Sequence, residues 1–508
     1  MGAAFTVATA MLWGMEARPV MVEVSMGGGL PNITVVGRPD QSVMEARMRV
    51  RCALRASGFR LPRQNITVNL APAELKKSGT AFDLPIAVAI LAATGQIPAE
   101  GLDGCLVIGE LGLDGELRPV RGILAYARFA REQGLRLIAP RDVLADGGND
   151  CDIRFVDELA QFVQPLEELG ATPVGEGRAL AADRVEQDFA DVAGQAVAKR
   201  ALAVAVAGRL GVLMVGPPGV GKTMLARCTA GIEPDLTEED LQTTALIHSV
   251  AGTDDGRVAA GLRPFRAPHH SSSCAGLLGG GRPVRPGEVS LAHNGVLFLD
   301  ELGEFNRTTL QGLRQPLEER VVRVTRVEGT YTFPCDFQLI AASNPCPCGH
   351  LGDPAVPCTC SEGALERYRG RLGGPLLDRL EIVVSLERPT ASELFGDGGN
   401  QTSARLKEQV AAAREFAAWR TGGDGALQAR APTATAKGAL GRAVEEAHAQ
   451  TAARRLVESL AERRTVSVRG LTAIVRTARA IADMDQKDEV GCDHVLEAVG
   501  YRGEGIGV

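Results

Sequence analysis

Over its first 164 residues the chain alternates short apolar runs with longer stretches whose apolar residues recur at helical spacing. Short apolar runs are typical of buried strands, and apolar residues spaced three and four apart are typical of helices that cover a sheet. The pattern therefore predicts an α/β domain at residues 1–164. The predicted strands are 66–70, 105–108 and 151–156, and the predicted helices are 83–93, 121–133 and 157–163, the last with Asp157 as its N-cap.

A different pattern occupies residues 165–185, where glycines and prolines interrupt the chain and no apolar period is sustained. This composition is typical of a linker. The next region, 186–390, contains short apolar runs that predict the buried strands of a parallel sheet, together with a helix at 196–207. Its predicted strands are 210–215, 295–301, 337–344 and 381–386.

The remainder, residues 391–508, is predicted to be an α-helical bundle. Its apolar residues recur at helical spacing, and one apolar face consists of Leu471, Ile474, Val475 and Ala478. The predicted helices are 403–420, 437–463 and 468–483.

A glycine-rich segment, GPPGVGKT at 216–223, lies between a predicted strand and a predicted helix. It matches the phosphate-binding pattern G-x-x-x-x-G-K-[ST] in the context that gives the pattern its meaning. Its backbone N–H groups can turn toward phosphate oxygens, Lys222 can reach the β- and γ-phosphates, and Thr223 can offer a hydroxyl to Mg²⁺. The residues predicted to bind the nucleotide are Gly216, Pro217, Pro218, Gly219, Val220, Gly221, Lys222 and Thr223.

Two later strands end in polar residues that complete a site for ATP and Mg²⁺. Asp300 is predicted to hold Mg²⁺ through water or Thr223, and Glu301 to polarise the water that attacks the γ-phosphate. Asn344 is predicted to contact the γ-phosphate or that water, the sensor-1 role. The alternative for Asn344 is a cap at a strand-to-loop turn.

Composition excludes several classes of protein. With 508 residues, 45% hydrophobic and 23% charged, the chain is typical of a soluble globular protein. No apolar run approaches the roughly 18 residues of a membrane span, and no basic segment precedes an apolar core at the N-terminus. We expect a cytoplasmic protein. The net charge of −7 means that contact with nucleic acid requires a local basic surface.

The chain contains eleven cysteines, and four of them cluster in two Cys-x-Cys pairs around a loop rich in glycine and proline. Four thiolates in this arrangement can surround one tetrahedral, structural Zn²⁺. The alternative is a set of reduced thiols in a surface loop. The four residues are Cys346, Cys348, Cys358 and Cys360.

The segments 69–85 (NLAPAELKKSGTAFDLP) and 109–119 (GELGLDGELRP) resemble the N-terminal domain of magnesium-chelatase-like AAA+ proteins of the YifB/ComM type. The resemblance implies the fold of the Lon protease domain, which is ribosomal S5 domain 2-like. Lon-type proteolysis needs a serine activated by a lysine. The corresponding positions here are Ala81 and Leu124, so we expect a scaffold or binding surface and no proteolysis.

The resemblance extends to the segments 263–271 and 286–295. It implies a P-loop AAA+ core at 186–390, a helical lid at 391–508 and a homo-hexameric ring. In the first of these segments His269 and His270 are adjacent, and we expect a structural or nucleotide-adjacent role for them.

Two arginines gain roles from the same resemblance. Arg379 corresponds to an arginine finger that enters the nucleotide site of the neighbouring subunit. Arg469 corresponds to the sensor-2 arginine, with Arg476 as the competing choice. The alternatives are a surface ion pair of Arg379 with Asp378 or Glu381, and a first-turn surface position for Arg469.

The resemblance also implies that an insert at 276–285 and a hairpin at 320–333 face the pore of the ring. Arginines on both give local positive charge, which suits phosphate backbones without readout of bases. The alternative is that they are solvated charges at the edge of a hairpin. These residues are Arg282, Arg285, Arg320, Arg323 and Arg326.

These observations predict a Mg²⁺-dependent ATP hydrolase. The resemblance implies a hexameric motor on single-stranded or branched DNA, with helicase or branch-migration activity in recombination or natural transformation. The alternative is an ATP-driven protein-remodelling or chelatase-type assembly factor without DNA activity.

Overall fold

A computed structural model describes residues 4–142, 151–170, 187–253, 256–372, 374–396, 401–422, 438–463 and 466–502. Most of the predicted linker, at 171–185, lies outside these ranges.

The first domain is built on a seven-stranded mixed sheet with strand order β3-β4-β2-β1-β5-β8-β9. Alternating residues of its long strands are buried against helices, as in β4, where Ile66, Val68 and Leu70 face inward. Helix α2 is buried along almost its whole length. The elements are β1 (Phe5–Trp13), β2 (Glu16–Gly27), β3 (Asn32–Val36), α1 (Gln41–Ala56), β4 (Asn65–Ala71), α2 (Asp83–Ala93), β5 (Cys105–Val107), β6 (Glu110–Leu111), β7 (Leu117–Arg118), α3 (Ile123–Gln133), β8 (Arg136–Ala139) and β9 (Ile153–Phe155).

The end of this domain differs from the prediction in two respects. The segment 157–163 forms a short 3₁₀ helix, Leu159–Val163, with Glu158 and not Asp157 at its N-cap. The side chain of Gln161 accepts hydrogen bonds from the N–H groups of Asp157 and Glu158, which fixes this start. Leu166 and Leu169 are buried in the core of the domain, so the chain leaves it later than residue 165.

The second domain has a five-stranded parallel sheet with strand order β11-β14-β17-β10-β18. Strands β10, β14 and β17 are buried on both faces, which explains the wholly apolar sequences of β10 and β14 and the apolar centre of β17. Its elements are α4 (Ala196–Gly208), β10 (Val212–Val215), α5 (Lys222–Ile232), α6 (Glu238–Ala251), α7 (Gly256–Ala259), β11 (Phe265–Arg266), α8 (Cys274–Leu278), β12 (Gly279–Gly280), β13 (Arg285–Pro286), α9 (Glu288–Leu291), β14 (Val296–Leu299), α10 (Arg307–Gly312), α11 (Arg314–Glu319), β15 (Val321–Arg326), β16 (Gly329–Pro334), β17 (Gln338–Ser343), α12 (Glu362–Leu372), α13 (Gly374–Leu377), β18 (Ile382–Ser385) and α14 (Ala391–Phe395).

The two domains are in direct contact. Trp13 of β1 stacks on Tyr331 of the β15–β16 hairpin with ring centroids 4.8 Å apart. Helix α3 packs beside α6, where the N–H of Gly122 donates to the Ser249 carbonyl at 2.8 Å and the N–H of Leu124 to Ser249 Oγ at 3.3 Å. The first domain therefore covers part of the hairpin.

Helices of the C-terminal region pack on α4 and α5. The predicted single helix at 437–463 is wrong: two helices form there, and the chain turns between them at His448, which has a φ of 51°. The carbonyl of His448 accepts from Val490 N–H, and Gln450 N–H donates to the Val490 carbonyl, which fixes the turn. The elements are α15 (Ser403–Arg420), α16 (Ala439–Glu446), α17 (Thr451–Glu462), α18 (Val468–Met484) and α19 (Cys492–Gly500).

Candidate nucleotide site

The loop between β10 and α5 has the backbone shape that a phosphate requires. Gly219 and Gly221 have φ of 81° and 92°, a region that other residues enter only with strain. At Gly216 a Cβ atom would lie 2.7 Å from the carbonyl oxygen of Leu386, so a side chain there would collide with the strand-end behind the loop. The glycines of the motif are thus required by geometry as well as by pattern.

The ammonium group of Lys222 lies over this loop. It donates to the carbonyls of Gly216 at 2.6 Å and Pro217 at 2.9 Å, and to Oδ1 of Asn344 at 3.0 Å. Burial lowers the pKa of Lys222, while Asp300 and Glu301 oppose that shift. A half-buried cation that is held beside the predicted sensor amide is suited to bind the terminal phosphate of a nucleotide.

Thr223 and Asp300 come together from α5 and the end of β14. Thr223 Oγ1 donates to Asp300 Oδ2 at 2.7 Å. Hydroxyl and carboxylate oxygens are ligands that Mg²⁺ prefers, so this pair fits a Mg²⁺ that enters with ATP.

Glu301 follows with a left-handed backbone, φ 50°, and its side chain is exposed at the mouth of the site. Nδ1 of His270 lies 3.4 Å from Oε2 of Glu301, and the His270 imidazole contacts that of His269 in a tilted arrangement with centroids 4.1 Å apart. His270 therefore contacts the predicted catalytic carboxylate, a contact that the sequence does not identify.

Asn344 is supported from behind by Tyr368 of α12. The Tyr368 hydroxyl donates to the Asn344 carbonyl at 3.1 Å and lies 3.0 Å from Ser343 Oγ. Nothing in the sequence around Tyr368 indicates this contact, because the residue arrives from a separate helix.

Arg379 and Arg469 lie at the end of the parallel sheet opposite the phosphate loop. Gly211, which precedes β10, donates from its N–H to Oε2 of Glu381 at 2.7 Å, so the residues around 379–381 stand at the start of the strands. The phosphate loop stands at their end, roughly 13 Å away along a four-residue strand. The chain therefore does not bring these two arginines to its own phosphate loop.

The partners of these arginines are acidic. Arg379 pairs with Glu318. Arg469 Nη1 lies 4.0 Å from Asp378 Oδ2, and Arg476 Nη1 donates to Glu381 Oε1 at 2.9 Å.

Comparison with known proteins identifies the family to which this chain belongs. Models described as "Magnesium chelatase, subunit ChlI", "Subunit ChlI of Mg-chelatase" and "Magnesium chelatase, subunit ChlI C-terminal" match residues 188–394, 22–142 and 400–502. YifB of Salmonella typhimurium is 39% identical over 96% of this chain and 95% of its own length. Competence protein ComM of Haemophilus influenzae is 38% identical over the same shares of the two chains. The chain belongs to the YifB/ComM family of magnesium-chelatase-like proteins.

This family is a group of magnesium-chelatase-like AAA+ ATPases, and it implies ATP and Mg²⁺ as ligands. Lon protease 2 of Bacillus subtilis is 28% identical over 35% of this chain and 36% of its own length. In this YifB/ComM-type chain, Ala81 and Leu124 pack against one hydrophobic cluster of the first domain. Neither side chain can act as a nucleophile or a base.

The four clustered cysteines lie beside the phosphate loop. All four Sγ atoms lie within 4.8 Å of one another, and those of Cys346, Cys348 and Cys358 are 3.3 to 3.7 Å apart. Thiolates around a tetrahedral Zn²⁺ at about 2.3 Å would be about 3.8 Å apart, so the cluster fits zinc. Hydrogen bonds from the backbone N–H groups of His350 and Thr359 lower the pKa of Cys348 to about 5.

The arginines predicted to contact DNA do not form one group. Arg320 and Arg323 pair with Asp336 and Glu319. Arg282 and Arg326 are exposed and line a cavity of about 570 Å³. This cavity lies between the insert at 276–285, the hairpin at 320–333 and the first domain. Arg285 is exposed near Arg121, whose pKa is lowered by burial and then by the Arg285 cation.

None of the helices in the described ranges combines the length and the apolar character that a membrane span needs.

Proposed function

We propose that this protein is a Mg²⁺-dependent ATPase that acts on DNA as a ring of identical subunits, a homo-hexamer. One observation carries the proposal: Lys222, Thr223, Asp300 and Asn344 converge at one end of the parallel sheet, whereas Arg379 and Arg469 lie at the other. In a ring with head-to-tail contacts, the arginine edge of one copy faces the phosphate loop of the next.

In this proposal the residues divide the work of hydrolysis. The loop amides and Lys222 bind the phosphates, while Thr223 and Asp300 hold Mg²⁺, which neutralises charge on the β- and γ-phosphates. Glu301 orients the attacking water and accepts its proton, and Asn344 positions the γ-phosphate. Arg379, with Arg469, is supplied by the neighbouring subunit and stabilises the charge that develops on the transferred group.

Two observations support the proposal that the protein acts on DNA. The insert at 276–285 and the hairpin at 320–333 carry exposed arginines, and the chain belongs to the YifB/ComM family. Arg282, Arg285, Arg323 and Arg326 are exposed in a chain with a net charge of −7. A relative that matches almost the full chain is named competence protein ComM. We therefore propose helicase or branch-migration activity on single-stranded or branched DNA, in competence or recombination.

The experiment that tests this proposal measures ATP hydrolysis with and without Mg²⁺, and with and without a labelled four-way DNA junction. We expect Mg²⁺-dependent hydrolysis, stimulation by the junction and branch migration. Lys222→Ala should lose more than about 99% of the hydrolysis, because the phosphate ligand is removed. The control is Lys487→Ala, an exposed lysine in the C-terminal region. Hydrolysis that ignores DNA and responds to a protein partner would favour the protein-remodelling alternative instead.

We also propose that Cys346, Cys348, Cys358 and Cys360 hold one structural Zn²⁺. The distances among their sulfur atoms support this, and four protein ligands leave no open position for catalysis.

A further inference from the structure

An exposed groove on the first domain combines an apolar floor with a basic rim. It encloses about 540 Å³, and all of its lining residues belong to the segment 31–66, with none from the ATPase core. The rim carries Arg47, Arg51, Arg55 and Arg63, all of them exposed. Among the residues that the structure describes, none that lines the groove is acidic.

Three of these arginines form one stripe along α1. Arg47, Arg51 and Arg55 are four residues apart, so their side chains leave the same helix face about 6 Å apart along the axis. This separation is comparable with the spacing of successive phosphates along a nucleic-acid strand. Arg63 lies across the groove, on the segment that leads into β4.

The charges of these arginines are not neutralised within the described part of the chain, where none of the four has an ion-pair partner. Arg49 on the same helix is different, because its guanidinium binds buried Asp83 at 2.6 Å and lies 4.0 Å from Glu45. Residues two apart in a helix point to roughly opposite sides, so this neutral pair does not offset the basic stripe. The stripe is a local concentration of positive charge in a chain with a net charge of −7.

The floor of the groove is apolar and contains no aromatic ring. It is formed by Ile33, Met48, Leu61, Pro62 and Ile66. Without aromatic rings the groove offers no platform for stacking bases, so the arginines supply the recognition. Contacts of this kind bind phosphates and carry no sequence information.

We infer that this groove binds the phosphate backbone of single-stranded nucleic acid, independently of sequence, as a contact additional to the inserts of the ATPase core. The inference deepens the proposed function and rests on it, since it locates a second DNA contact on a domain that has lost its proteolytic residues.

The test uses the full chain and a fluorescent oligothymidylate, with binding measured by anisotropy over a range of salt concentrations. The variant is Arg47→Gln/Arg51→Gln/Arg55→Gln/Arg63→Gln, since glutamine keeps helix propensity and removes charge. The matched control is Arg128→Gln/Arg131→Gln/Arg454→Gln/Arg455→Gln, which removes the same charge from exposed sites elsewhere.

For the groove variant we expect at least about tenfold weaker binding at low salt, and a salt slope (log K against log salt) that is shallower by about three, because four phosphate contacts are lost. The control should shift far less. Hydrolysis of ATP in the absence of nucleic acid should be unchanged, because the residues that line the groove all belong to the first domain and none belongs to the ATPase core.

Three results would overturn the inference: no binding of oligothymidylate by the wild-type chain, equal losses in variant and control, or stronger binding of polyglutamate or of anionic vesicles than of the oligonucleotide. An oligouridylate arm distinguishes DNA from RNA as the source of the strand. Failure of the proposed function looks different, since the wild type would then lack DNA-stimulated hydrolysis while the salt slopes of variant and control still differed.

Discussion

At the scale of single residues, the site depends on side chains that hydrogen bonds within the protein hold in place. Lys222 donates a hydrogen bond to Asn344, and Thr223 donates one to Asp300. These two hydrogen bonds connect side chains from three separate segments of the chain. Glu301 is less restrained, because His270 is the one side chain among the described residues whose ring nitrogen lies within 4 Å of its carboxylate. Such a carboxylate can turn toward a water molecule once the phosphates are bound.

Glu301→Gln tests this assignment. The amide keeps the size of the side chain but cannot accept a proton, so we expect turnover to fall by about two orders of magnitude or more while ATP still binds. Single-turnover hydrolysis and binding of a fluorescent ATP analogue measure the two effects separately. Glu304→Gln, three residues on and also exposed, is the control. Rapid hydrolysis by Glu301→Gln would remove this residue from the role.

A second residue, His293, makes a prediction about pH. It is buried just before β14, accepts a hydrogen bond from Asp336 N–H at 2.9 Å, and burial lowers its pKa to about 4 despite the nearby Asp336 carboxylate. The folded state therefore resists protonation that the unfolded state accepts below about pH 6.5. The stability that this neutral imidazole contributes is complete above pH 6.5 and is lost as the pH falls toward 4.

We expect the wild type to lose about 2 kcal/mol more stability between pH 7 and pH 5 than His293→Asn, whose amide oxygen can still accept the Asp336 N–H. Thermal unfolding at several pH values measures this difference. His448→Asn, at an exposed histidine, should follow the wild type. Parallel curves for wild type and His293→Asn would show that His293 is not the source of the pH dependence.

The sequence indicates which residues form the nucleotide site only where a motif fixes local geometry. The phosphate loop and the acidic pair at the end of β14 are of this kind, and in the structure Lys222 contacts Asn344 while Thr223 contacts Asp300. His270 and Tyr368 could not be found in this way. Their positions depend on how a long loop and α12 pack against the sheet, which no local pattern encodes.

At the scale of elements, the cysteine loop connects the proposed zinc site with the phosphate loop. A Cβ atom on Gly349 would lie 2.8 Å from Cδ of Pro218, so the two loops are in close contact. Cys346 also follows Asn344 by only two residues. Folding of the cysteine loop around Zn²⁺ should therefore fix both the phosphate loop and the predicted sensor.

Cys358→Ser should release the metal and lower ATP hydrolysis several-fold, because thiolate ligands bind zinc far more tightly than a hydroxyl does. Metal analysis of the purified protein and an ATPase assay measure the two outcomes. Cys274→Ser, at an exposed cysteine outside the cluster, should change neither. A wild-type protein that is purified without zinc, yet hydrolyses ATP fully, would contradict the zinc proposal.

Element boundaries were predictable where apolar spacing is regular and not where tertiary contacts decide them. Helices α2 and α15 have the predicted limits, Asp83–Ala93 and Ser403–Arg420. The break between α16 and α17 follows from hydrogen bonds between His448, Gln450 and Val490, which are distant in sequence. The first domain likewise extends past residue 165, because Leu166 and Leu169 pack into its hydrophobic core. The local sequence does not indicate this packing.

At the scale of the whole molecule, the two ends of the parallel sheet carry different chemistry. One end carries the phosphate loop, and the other carries Arg379 and Arg469 with their acidic partners. A single copy cannot bring the two ends together, so the account requires that a nucleotide is hydrolysed between copies. The resemblance predicts that Arg379, which precedes β18, acts on the neighbouring subunit, and this stays a prediction.

Mixing two inactive variants tests this requirement most directly. Glu301→Gln lacks the carboxylate that activates water but keeps Arg379. Arg379→Ala lacks the arginine but keeps Glu301. In rings assembled at random from equal amounts, about one interface in four pairs an intact Glu301 with an intact Arg379. The account predicts that ATP hydrolysis by the mixture recovers to about a quarter of the wild-type rate. A mixture as inactive as its two components would contradict a site shared between subunits.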